Sequence, residues 1–123
     1  MEDIKIDQIF IANQNLRDMA LKNLEIEREI LDTREQIFNV KKKLQCEILD
    51  EKNKFDKPIY SNQLLRDREF DHRIEKYDDY LMQIKKLKEL EETEKINRIK
   101  INYIVEDLIN MRLYLKIKNE IKS

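Results

Sequence analysis

Along the first half of the chain one set of positions recurs in alternating steps of three and four: Ile9, Ala12, Leu16, Met19, Asn23, Ile26, Ile30, Thr33, Ile37, Val40 and Leu44. Alternating steps of this kind hold one stripe of a helix against a partner helix, as in a left-handed coiled coil. The pattern predicts a first helix from about Asp3 to about Lys54. Asn23 and Thr33 are polar breaks in the stripe, and a buried Asn at such a position fixes register or oligomer state at some cost in stability. Leu24, Leu31 and Phe38 form a second row beside the first. The apolar face is therefore wider than a two-stranded seam requires and suits a bundle of three or four helices.

Polar punctuation arrives at residues 50–61, DEKNKFDKPIYS. Pro58 has no N–H to donate and pushes Lys57 away from helical angles, so a bend is expected at about 55–60. A second helix follows over about 61–121, with Pro58 as its first residue or Ser61 as its N-cap. Leu64, Phe70, Ile74, Tyr77, Leu81, Ile84, Leu87 and Leu90 recur in it at helical spacing. A connection this short favours antiparallel neighbours. The expected architecture is all-α: one domain over residues 1–123, a long coiled-coil-like hairpin of two antiparallel helices. Its seam would set Ile26, Ile30, Ile37, Val40 and Leu44 against Ile74, Tyr77, Leu81 and Ile84.

Hydrophobicity is unevenly spread. Three of 14 residues are apolar between Lys85 and Arg98, but twelve of 19 between Ile99 and Ile117, and six of nine across residues 4–12. A helix apolar on all sides has to be covered on all sides, and one neighbour covers only a stripe. Exposed apolar patches of this size mark interaction surfaces. The expectation is self-association, as a two-fold dimer or a higher helical bundle, through Ile4, Ile9, Phe10, Leu16, Ile101, Ile104, Leu108, Met111 and Leu115. Short terminal strands are the alternative, since Ile4-Lys-Ile-Asp and Leu113-Tyr-Leu-Lys-Ile-Lys-Asn alternate apolar and polar residues.

Composition narrows the picture further. The chain has no glycine and a single proline. Glycine is the usual residue for tight turns and phosphate cradles, so phosphate loops and dinucleotide fingerprints are not expected. Charged residues make up 41% of the chain, yet 25 basic residues nearly balance 26 acidic ones. Helical periodicity with a net charge of only −1 argues against disorder. It also argues against a chain built mainly to coat nucleic acid or anionic membrane. One cysteine allows no internal disulfide and favours a reducing compartment. No signal segment or bilayer-spanning run is evident, so the expected location is cytoplasmic and no membrane partner is expected.

Candidate chemistry is sparse. His72 follows Asp71, but adjacent helical residues point in different directions and no nucleophile stands at a supporting spacing. Cys46 has no paired histidine. Glu91, Glu92 and Glu94, or Asp67, Glu69 and Asp71, could be imagined around a metal, but a di-iron bundle needs two Glu-x-x-His motifs and this chain has one histidine. No enzyme, metal, cofactor or small-molecule substrate is expected. Lys41, Lys42 and Lys43, with Arg66, Arg68 and Arg73 near the bend, offer phosphate contacts and hence a nucleic-acid-binding alternative. Interleaved acids weaken it. The reading that fits best is a non-catalytic protein-protein interaction module (a scaffold, adaptor or small regulatory or inhibitory protein) binding itself and another protein.

Overall fold

The computed structural model describes residues 6–122, which form three helices: α1 (Ile6–Asp50), α2 (Gln63–Ile74) and α3 (Asp78–Lys122). No strand occurs among the described residues. The alternating stretch at Leu113 lies within α3 rather than in a strand, because its backbone groups are satisfied within one helix and no partner strand is at hand. Ile4 lies outside the described residues. Helices α1 and α3 pack together. The chain divides into two compact units, one joining α1 up to Arg28 with α3 from Glu91, the other running from Glu29 to Leu90.

Within α1 all eleven positions of the three-four frame are buried or half-buried, whereas Leu24, Leu31 and Phe38 are exposed. The same arithmetic governs α3, where Leu87, Leu90, Glu94, Asn97, Ile101, Ile104, Leu108, Met111 and Leu115 are covered, as are Tyr80, Gln83 and Lys118 in the same frame and Ile84 and Tyr114 beside it. Burial follows a near-seven-residue period on both helices, as two turns of 3.6 residues bring the same face round again.

The unit spanning Glu29–Leu90 holds the most densely covered core: Leu44, Ile48 and Ile74, with Tyr60, Phe70, Tyr77 and Tyr80 packed against them. Leu44 and Ile48 retain only 2% and 1% of their exposure. Three features here depart from the expected outline. First, α1 ends at Asp50 rather than near Lys54, because Glu51 and Lys52 are drawn into the turn: the Ile59 N–H donates to the Glu51 carbonyl at 3.1 Å, and Lys52 bridges Pro58. Second, neither Pro58 nor Ser61 opens the next helix. Asn62 caps it, its side-chain oxygen accepting from the Leu65 N–H at 2.9 Å. Third, the expected second helix is interrupted over residues 75–77. There the Lys76 and Tyr77 N–H groups donate to the carbonyls of Arg73 and Ile74, three residues back. The acids Asp78 and Asp79 then open α3, where the positive end of the helix dipole favours them.

The turn itself is organised by Asn53. Its side-chain oxygen accepts from the N–H groups of Phe55 at 2.9 Å and Lys57 at 3.2 Å, and its own N–H donates to the Lys57 carbonyl at 2.8 Å. Asp56 takes a positive φ of 60°. In a chain without glycine, Asp and Asn are the residues that enter this region at least cost.

Candidate interaction surface

The basic candidates near the bend are mostly committed to the fold. Arg73 anchors a clip across the bend. Its Nη1 and Nη2 donate to the two carboxylate oxygens of Glu51 at 2.6 and 2.8 Å, and its Nε donates to Glu69 at 2.5 Å. Its Nη2 also reaches the Tyr60 hydroxyl at 3.4 Å, with the guanidinium 5.9 Å from that ring's centre. The bidentate hydrogen bond from Arg73 holds the Glu51 carboxyl below the usual carboxylate range, against a smaller desolvation effect. Arg73 is itself held even more firmly protonated than usual, by Glu51 first and then Glu69. Lys41 is half-buried, its ammonium 5.7 Å from the centre of the Tyr80 ring, and Lys42 lies 5.1 Å from that of Phe38. Arg66 donates to the Tyr60 carbonyl and to Gln63. Lys43 and Arg68 are exposed. Six basic side chains close in sequence thus do not form one cationic platform, because packing on aromatic rings and carboxylates spends several of them.

Beside the clip, a groove of about 220 Å³ is lined by Gln45, Ile48, Leu49, Gln63, Arg66, Asp67 and Phe70. Its apolar floor and amide and charged rim would hold one or two side chains. His72 and Cys46 are exposed and stand apart from it. Among the described residues no group of three or more His, Cys, Asp or Glu is arranged to hold a metal ion, and no helix is long and apolar enough to cross a membrane.

The residues named as an association surface divide by face. Ile9, Leu16, Ile101, Ile104, Met111 and Leu115 are half-buried, and Leu108 is 4% exposed, so the chain already covers these seven itself. Phe10 alone among the described members stays open, at 71%. The hairpin-seam set shows one departure of the same kind. Leu81 is 46% exposed, while its neighbours Tyr80 and Ile84 are half-buried. The break before α3 sets a new rotational phase, which turns Tyr80 inward and Leu81 outward.

What remains exposed is a different set. In the unit that contains the end of α3, the large side chains Ile99, Tyr103, Ile109, Leu113 and Ile117 are 47–64% exposed. They lie opposite the covered stripe: Leu113 is two residues from both Met111 and Leu115, a rotation of about 200° from each. On α1 of the same unit, Phe10 and Leu24 are exposed and flank the covered stripe, each about 100° round the helix from its covered neighbour, Ile9 or Asn23. A frame shifted by half a turn on α3 would have found Ile99, Tyr103, Leu113 and Ile117.

Buried polar groups mark both units. Thr33 is 2% exposed but satisfies itself, its hydroxyl donating to the Glu29 carbonyl at 2.7 Å. Asn23 is 6% exposed and its side-chain oxygen finds no donor, and Asn97 is 9% exposed on α3 of the same unit. Gln83 carries an unpartnered buried oxygen in the other unit.

No protein-family model matches this chain, and neither the curated proteins nor the solved structures contain a match to it.

Proposed function

We propose that this protein is a non-catalytic interaction module, a helical hairpin that binds copies of itself and another protein through helical-bundle contacts. The observation that carries this reading is the row of large apolar side chains on the outer face of α3, 47–64% exposed although the same helix already buries its opposite face. Amphipathic helices in soluble chains hide one face and solvate the other. A helix with a second apolar face calls for a second neighbour. Charged residues rimming that face would set specificity rather than supply most of the affinity.

The nucleic-acid alternative has less behind it. Arg73 and Lys41 are held in intramolecular contacts, and the net charge of −1 offers no attraction at a distance.

Thermal unfolding followed by circular dichroism tests the reading. Folding linked to self-association makes Tm rise with protein concentration. A Tm that stays constant over a hundredfold range of concentration, together with no response to charged substitutions at Leu113 and Ile117, would count against it.

A further inference from the structure

We propose that the outer face of α3 docks antiparallel, about a two-fold axis, against the same face of a second copy of this chain. This rests on the interaction-module reading and gives it one surface, one occupant and one register.

Isologous contacts require a patch that complements itself under a two-fold rotation. The outer face supplies one. Ile99, Tyr103, Glu106, Asn110, Leu113 and Ile117 follow in steps of four and three, the spacing of a second coiled-coil seam on the same helix. Reversing the helix about the level of Leu108 sets Ile99 against Ile117 and Tyr103 against Leu113. The same reversal sets Glu106 against Asn110. Apolar layers therefore meet apolar layers from Ile99 to Tyr103 and from Leu113 to Ile117, and the matched stretch ends there, where Ile96 falls opposite Glu120. The two central polar layers are equivalent under the rotation, with the Asn110 amide able to donate to the Glu106 carboxylate of the other copy on each side of the axis. A parallel pairing would instead stack Glu106 on Glu106.

Electrostatics give the pairing a signature. Asp107 flanks the axis, so the two copies bring like charges near one another there. Neutralising that pair in Asp107→Asn should tighten self-association by about threefold to tenfold at low salt, with a smaller gain at high salt, as screening requires.

The decisive experiment is disulfide trapping in the full-length chain with its exposed Cys46 replaced by serine. Tyr103→Cys and Leu113→Cys are prepared separately and oxidised alone and as an equal mixture. In the antiparallel register the mixed pair is adjacent, while two Tyr103 positions are about 15 Å apart along the axis, beyond disulfide reach. The mixture should cross-link at least roughly tenfold faster than either variant alone. Ile99→Cys with Ile117→Cys repeats the test at the other layer if one variant folds poorly. Faster cross-linking of either variant alone, or equal rates throughout, overturns the register. No cross-linking in a chain that still self-associates overturns this face while leaving the interaction-module reading intact. A chain that is monomeric throughout defeats both.

Discussion

Arg73 on α2 grips Glu51 at the end of α1 through two parallel hydrogen bonds of 2.6 and 2.8 Å. The pair closes a 12-residue connection that is also fastened by the Asn53-centred turn, the bond from Ile59 to the Glu51 carbonyl and the stacked Tyr60 ring. Both side chains are about two-thirds covered, so the contact gains more than a solvent-exposed ion pair would.

The clip predicts a particular acid response. The carboxyl of Glu51 titrates lower in the folded chain than in the unfolded one. Its contribution is therefore present above the unfolded pKa and is lost as pH falls through the folded pKa. Thermal unfolding between pH 2 and pH 7 should show a steeper acid decline for the native chain than for Glu51→Gln, with the two converging at the lowest pH. Parallel curves would mean that the clip contributes nothing. Arg73→Met should lower Tm at neutral pH further than Glu51→Gln does, since it strands two carboxylates, whereas Glu51→Gln leaves Arg73 paired with Glu69.

Core substitutions should separate Leu81 from its neighbours. Ile48→Ala removes a 1% exposed side chain and should cost about 2–5 kcal/mol in denaturant unfolding. Leu81→Ala, on a residue 46% exposed, should cost about 1 kcal/mol or less. Equal penalties would contradict the rotational phase assigned to α3.

Asn23 has a trade-off that can be measured. Replacing it with Leu removes an unpartnered buried oxygen and should stabilise the chain by about 1–3 kcal/mol. Polar residues at such positions also suppress alternative registers and stoichiometries. Asn23→Leu should therefore raise Tm while broadening the distribution of assembled species in native mass spectrometry. A more stable variant with one unchanged species would limit Asn23 to a packing role.

The helices were legible because burial on α1 and α3 follows a period that the residue types already display. The bend was legible from Pro58 and its polar neighbours. The break at residues 75–77 was not, because no glycine or proline marks it. It arises from Ile74 being committed to the Leu44 and Ile48 core, followed by acids suited to a new helix start. Excess hydrophobicity near the end of the chain was visible in the sequence, but its division between faces was not. Leu108 and Leu113 are alike in composition. Only the position of α1 beside α3 makes one 4% and the other 51% exposed. The same division changes how association should be probed. A charge placed at Leu108 would unfold the chain, whereas one at Leu113 reaches the outer face alone.

Sedimentation equilibrium of the native chain beside a Leu113→Glu, Ile117→Glu variant tests the central claim most directly. The native chain should sediment at a whole multiple of its 15.2 kDa at micromolar concentration. The variant should remain helical and move at least roughly tenfold toward monomer, as loss of large apolar anchors predicts. A native chain that sediments at 15.2 kDa throughout that range, or a variant that assembles as tightly as the native chain, would contradict it.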